Sequence, residues 1–167
     1  MAVREVLRYP DRALKEVARE LGDGDRDEVR RVAGDLLDTM RSHNRCVGIA
    51  APQIGEAVRM VVVDVSEHPK AVSRNGLLLL VNPVVVRSEG AEVGREGCLS
   101  IPDLTANVRR ATSIAVEATD PDGAAVAIEA DAFEARCLLH EIDHLDGVLF
   151  LDRVDSLTTD VFRRKRY

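Results

Sequence analysis

From Asp25 onward, apolar residues return at Val29, Val32, Ala33, Leu36, Leu37 and Met40. That is the i, i+3, i+4, i+7 spacing of a helix with one buried face. Asp25 precedes the run and Glu28 follows three residues later, which reads as a capping box with Asp25 accepting from the first turn. Asn44 lies where the helix can stop, and a loop is expected from Arg45. The period then changes. Residues 59–65, 77–86, 113–119 and 125–129 are short, rich in Val and Ile, and bounded by Gly, Pro, Asn or Asp, as strands are. Between the last two, Pro121-Asp122-Gly123 is turn chemistry that predicts an antiparallel hairpin. A second long helix is expected from Phe133 to Leu145, free of Gly and Pro and stopped by Asp146-Gly147. A last short helix is expected from Ser156 to Lys165.

The order helix, several strands, helix, without regular alternation, predicts an α+β fold with a largely antiparallel β-sheet packed around the second long helix. At 167 residues the chain has the size of a single domain that can bury its own core. Residues 1–167 show no linker, repeat or low-complexity segment.

Composition removes several classes of function. Aromatic residues make up 3% of the chain and Trp is absent, so stacking platforms for single-stranded nucleic acid are scarce. A formal charge of -6 opposes wrapping by phosphate, and DNA is not an expected partner. The run Arg163-Arg164-Lys165-Arg166 is the exception. It reads first as a solvated helix end that complements the C-terminal dipole, with docking to RNA as the alternative. The start Met1-Ala2-Val3-Arg4-Glu5 is charged before any stretch of signal-peptide length forms, and no run approaches membrane-spanning length. Neither export nor a membrane is expected, and the expected location is cytoplasmic. Cys46, Cys98 and Cys137 are an odd, dispersed set that does not form a disulfide framework.

The strongest chemical signal is His140-Glu141-Ile142-Asp143-His144, inside the second expected helix. Residues four apart sit about 40° apart around the axis and about 6 Å along it, so both imidazoles can share one cation. Glu141 falls to the flank, within reach of a water but displaced from the ligand position. The motif alone points first to a zinc metallopeptidase, whose third ligand is a later His or Glu. Here no His follows His144 and no Glu follows Glu141. Upstream, the extended-looking segment from Arg95 to Pro102 offers Cys98, and a thiolate there fits as third ligand. A closed site that also used Cys137 is disfavoured, because seven helical residues from Cys137 to His144 span about 10.5 Å. The fourth position is read as open to water.

Three segments together resemble the peptide deformylase family: Gly48-Ile49-Ala50-Ala51-Pro52-Gln53, Glu96-Gly97-Cys98-Leu99-Ser100, and the His140 to His144 motif. Their order and spacing match the family's three motifs, and Tyr9-Pro10-Asp11 resembles its start. The resemblance covers nearly the whole chain and implies a single catalytic domain that removes the N-formyl group from the formylmethionine of new proteins. It implies Cys98, His140 and His144 as metal ligands and Glu141 as acid/base group. Gln53 and the backbone N–H of Leu99 would be oxyanion donors. Gly48 and Gly97 would lie along an extended peptide, and Val47, Phe133, Arg136 and Cys137 would line the methionine pocket, with the charge of Arg136 reaching water. The implied metal is Fe(II), with zinc, nickel or cobalt as substitutes. The implied partners are N-formylated nascent peptides and, through the basic tail, the ribosome.

Two positions depart from the family pattern. Cys46 stands where the first motif usually has a Gly, and Thr105 where many relatives carry an Arg beside the substrate's later residues. The readings kept beside the main one are a metallopeptidase using the same helical motif and a noncatalytic metal-binding, ribosome-associated relative.

Overall fold

The computed structural model describes residues 2–165; Met1, Arg166 and Tyr167 lie outside the described residues, and with them the start of the N-terminal segment and the last cation of the basic run. Helix α1 spans Arg26–Ser42, strand β1 Gly48–Ala50, β2 Met60–Val63, β3 Leu78–Glu89, β4 Glu92–Cys98, β5 Ile101–Arg110, β6 Ser113–Thr119 and β7 Ala125–Asp131. Helix α2 follows at Ala132–Leu145 and strand β8 at Val161–Arg163. Two antiparallel sheets form, one in the order β1-β2-β3-β6-β7 and one in the order β4-β5-β8. This is the expected α+β class, antiparallel sheet around a helix.

Strand β2 explains how the layers stack. Its four residues are all buried, although successive side chains point to opposite faces. Val61 and Val63 join Leu138, Ile142 and Leu145 of α2 in one core. Met60 and Val62 join Val32, Leu36 and Met40 of α1 in another. A helix on each face lets the strand be apolar throughout. The second sheet closes over the other side of α2, where Cys98, Glu96 and Arg110 meet His144, His140 and Asp143, and its apolar residues Ile101, Ala106 and Val108 pack with Leu149 and Phe150. Thus α2 lies between the sheets. Its entry is tight, because β7 passes directly into it at Ala132, which takes φ 51°, an uncommon conformation for a residue with a Cβ.

Two expected features are corrected. Asp25 does not cap α1: its carboxylate accepts from the Gly22 N–H at 2.8 Å and pairs with Arg19, and Glu28 also turns to Arg19. A 3-10 turn over Asp23–Asp25 runs straight into the helix, so the side chain of Asp25 serves the start of that turn instead. The helix expected from Ser156 to Lys165 is also absent among the described residues. Ser156 and Asp160 close a turn, and Val161–Arg163 then pairs with β5 as β8. The free edge of β5 needs partners for its backbone groups, and Val161 packs on that strand's apolar cluster. Arg163, Arg164 and Lys165 therefore do not end a helix.

Candidate active site and metal centre

Apolar residues of α2 face the five-stranded sheet, which leaves His140 and His144 turned toward the end of β4. There they meet Cys98, and one ligand atom from each of the three residues lies within 4.8 Å of the others. Cys98 Sγ stands 3.5 Å from His144 Nε2. All three residues are buried. One soft sulfur and two imidazoles gathered this closely form a donor set suited to a single divalent transition-metal ion. Cys137 is outside the cluster, as the helical spacing required.

A buried ion network fixes the orientation of the first imidazole. His140 Nδ1 lies 2.8 Å from Glu96 Oε1, which assigns the ring proton to Nδ1 and frees Nε2 to ligate. Arg110 grips Glu96 with two bonds of 2.9 Å and reaches Asp143 at 2.5 Å. Arg153 binds the other side of Asp143, and Arg136 binds Glu96 at 2.7 Å. Burial opposes the charge on Glu96, but Arg110 and His140 outweigh it and hold the carboxyl well below its ordinary range. For His140, burial again opposes charge, yet Cys98 and Glu96 raise its pKa well above the usual value. Burial, then His140 and Arg110, hold His144 well below it. A bound cation would displace any proton from Nε2 of His140, since the neutral imidazole is the ligand.

Glu141 sits against this cluster, with Oε1 3.8 Å from His140 Nε2. Burial pushes its carboxyl up to about 7, and Glu96 adds to that while His140 and Arg110 pull it down. Among the described residues, Glu141 Oε2 and His144 Nδ1 are the buried side-chain atoms without a hydrogen-bond partner. Leaving a carboxylate oxygen dry and unpaired costs stability, and such an atom at a cavity wall suits a group that exchanges protons. Gln53 is almost fully buried at 1% exposure. Its Oε1 accepts from the Ala50 N–H at 2.9 Å, which turns Nε2 toward Ser100 Oγ at 3.1 Å and Cys98 Sγ at 3.5 Å. The amide donor therefore points at the ligand cluster.

These groups line a cavity of about 1010 Å³ whose wall includes Val47, Gly48, Gln53, Gly97, Cys98 and Leu99 on one side and Phe133, Arg136, Cys137, His140 and Glu141 on the other. Every residue singled out from the sequence except the fully interior His144 contributes to that wall. Gly48 has a local reason to be glycine: a Cβ there would stand 3.1 Å from Glu141 Cγ and 3.3 Å from Val62 O. At Gly97 a Cβ would collide with the guanidinium of Arg164.

Arg136 binds Glu96 and the carbonyl of Val108 with one nitrogen, while the other donates to the Glu92 carbonyl at an exposed position. Cys46 needs no glycine-like backbone, because the left-handed residue in this loop is its neighbour Arg45, at φ 62°. The thiol of Cys46 donates to Gly48 O at 3.2 Å, and burial followed by Glu141 pushes its pKa up to about 12. Thr105 accepts from Arg95 at 3.3 Å, so a guanidinium does stand at this position, carried by the neighbouring strand. Sequence reasoning missed Arg110, Asp143 and Arg153 as supports of the site and Ser100 as the partner of Gln53. Asp143 and Ser100 lie within motifs, but Arg110 and Arg153 carry no local signal, because the partners meet only across the fold.

Comparison with known proteins agrees with this geometry. A family model described as Polypeptide deformylase matches residues 3–160. The chain is 41% identical over 165 residues to a peptide deformylase of Pseudoalteromonas translucida, covering 99% of this chain and 95% of that one. Its fold is similar to the crystal structure of a peptide deformylase from Legionella pneumophila, with a TM-score of 0.83, 36% identity, and coverage of 93% of this chain and 88% of that one. It is also similar to a class I type b peptide deformylase from Acinetobacter baumannii with Met-Ala-Ser bound, with a TM-score of 0.84, 30% identity, and coverage of 92% and 100%.

Proposed function

The chain belongs to the polypeptide deformylase family, and from that premise we propose a role for each residue at its site. The activity is that of the family, metal-dependent hydrolysis that removes the formyl group from an N-terminal methionine and releases formate. The observation that carries the assignment of roles is the buried cluster of Cys98, His140 and His144 with Glu141 and Gln53 directly against it. Residues 1–167 act as a single catalytic domain.

Cys98, His140 and His144 hold one divalent ion, Fe(II) in the cell, with zinc, nickel or cobalt able to replace it. When bound, the ion supplies Lewis-acid chemistry, lowering the pKa of a water and polarising the formyl oxygen. Glu141 takes the proton from the attacking water and delivers it to the departing amine nitrogen. The Gln53 amide and the backbone N–H of Leu99 donate to the oxygen on which negative charge develops. Glu96 and Arg110 keep the ring of His140 in the tautomer that ligates.

Substrate enters between two sheet edges. Among the described residues, β1 ends the five-stranded sheet and β4 ends the three-stranded one, and Gly48 and Gly97 on those strands both line the cavity. An extended peptide can pair there as an added strand, with its methionine among Val47, Phe133, Arg136 and Cys137. The peptide bound to the relative from Acinetobacter baumannii fits this mode. The substrates are N-formylated nascent chains in the cytoplasm; no described helix is long and apolar enough to cross a membrane. Docking of the basic tail to the ribosome competes with another placement, because Arg163, Arg164 and Lys165 line the cavity.

Of the other two readings, a metallopeptidase lacks support from family membership, and the complete donor set with Glu141 and Gln53 speaks against a noncatalytic relative. The test is anaerobic assay of protein loaded with each metal. Formate is expected from formyl-Met-Ala, with acetyl-Met-Ala and internal peptide bonds left intact. Cleavage of the internal bond in place of formate release would overturn the reading.

A further inference from the structure

The outer part of the cavity lies on one face of the three-stranded sheet. Register sets Arg95 opposite Asn107, Gly97 opposite Thr105, and Thr105 opposite Phe162. Opposed residues of an antiparallel pair share a face, as do residues two apart on one strand. The pairing continues past β8, with the Arg164 N–H donating to Asp103 O at 2.8 Å, so Arg95, Thr105, Asn107, Phe162 and Arg164 stand together around Gly97. Contacts agree with the register. Arg95 donates to Asn107 at 3.1 Å and to Thr105 at 3.3 Å and lies 3.9 Å above the Phe162 ring. The guanidinium of Arg164 covers Gly97.

These two cations form no ion pair among the described residues, although the exposed Asp103 stands opposite Arg164 in the pairing. Among the described residues neither has a carboxylate within ion-pair distance; Arg95 bonds to neutral oxygens and Arg164 rests on glycine. Arg136, the cavity's inner arginine, is by contrast paired with Glu96 at 2.7 Å. The cavity's carboxylates, Glu96 and Glu141, are buried at its inner end. On a chain of formal charge -6, two bare guanidiniums beside the ligand Cys98 form a local field of the opposite sign.

We infer that Arg95 and Arg164 are specificity-determining residues that favour formylmethionyl chains carrying a carboxylate a few residues beyond the methionine. The inference rests on the deformylase reading, since it concerns which peptides that same site takes. A peptide added along β4 passes Arg95 two residues, roughly 7 Å, from Gly97. Arg164 covers the sheet face at Gly97, beside the edge along which a chain would pair, and an acidic side chain turned to that face gives its guanidinium a partner. Charge-assisted, forked bonds from Arg to carboxylate supply the preference. Two partly exposed pairs change KM by roughly threefold to tenfold. Because they are remote from the reacting atoms, kcat does not follow.

The test uses the metal-loaded full chain and formyl-Met-Ala-Xaa-Ala amides with Glu, Gln or Lys at Xaa, plus the Gln peptide as its free acid. Binding of the deformylated Met-Ala-Xaa-Ala amides is measured in parallel. The expected KM order is Glu below Gln below Lys, and the spread narrows as salt is raised to about 0.5 M. Arg164→Gln and Arg95→Gln each bring the Glu-to-Lys ratio of kcat/KM toward one, and Arg164→Glu inverts it. The ratio is taken within each variant, so a general loss of activity does not imitate the effect. Equal KM values for the three amides, or a ratio that survives both Gln variants, overturn the inference. A gain confined to the free acid also overturns it, because the cations then read a chain terminus. Acidic preference in product binding with no formate from any peptide supports the inference and overturns the deformylase reading instead.

Discussion

Helix α1 buries Val29, Val32, Ala33, Leu36 and Met40 along one stripe, with Asp35 and Thr39 buried beside it against the N-terminal segment, whereas α2 is enclosed between two sheets and hides Glu134, His140, Glu141, Asp143 and His144 among its apolar residues. The apolar stripe of α1 fills space, and volume and shape decide which substitutions it tolerates. On α2 the buried polar groups have defined partners, apart from Glu141 Oε2 and the Nδ1 of His144, the ring nitrogen turned away from Cys98. Burial without water makes such partnerships obligatory. The same secondary structure thus carries a packing element in one place and a functional element in the other.

The sharpest way to separate the two is at Glu141. Glu141→Gln is expected to lower kcat about a hundredfold to ten-thousandfold while metal content and melting temperature hold, since a neutral amide replaces a dry, unpaired carboxylate. Formate release with metal analysis checks this, and activity within tenfold of the parent would remove Glu141 from its role. Next in size is Arg110→Met, which removes the cation shared by the buried Glu96 and Asp143 and leaves them only Arg136 with His140 and Arg153, respectively. Stability should fall by about 3–5 kcal/mol and metal affinity by roughly tenfold to a hundredfold, read by denaturant titration and by competition with a chelator. Leu36→Ala, in the middle of the α1 stripe and 0% exposed, should cost about 2–5 kcal/mol with kcat of the folded enzyme unchanged. A change in kcat there would mean that α1 is coupled to the site and that the division between the helices is wrong.

Legibility in the sequence follows the same division. The α1 stripe, the Val-rich β2 and the hairpin of β6 and β7 around Pro121-Asp122-Gly123 declare themselves because local pattern and tertiary role agree. Strands β4 and β5 were not delimited. In β4 one face carries Glu96 and Cys98 and the other Arg95 and Gly97, so function and not burial sets its residues. β5 contains Pro102, Asp103 and Asn107, which read as loop. β8 is three residues long and exists by pairing with β5, information that no local window holds. In the site, the His140 to His144 spacing and the absence of later ligands pointed to Cys98 without help. Gln53 and the pocket residues came through resemblance, because an amide in a loop has no pattern of its own. Arg110 and Asp143 meet across 33 residues of chain, and nothing in either neighbourhood announces the pair.

The central claim is that sulfur and two imidazoles share one ion. X-ray absorption at the metal edge of anaerobically purified, Fe(II)-loaded protein tests it most directly. The account predicts one sulfur from Cys98 and two imidazole nitrogens around the ion, with the sulfur signal lost in Cys98→Ala. A coordination sphere of nitrogen and oxygen alone in the parent protein would contradict it.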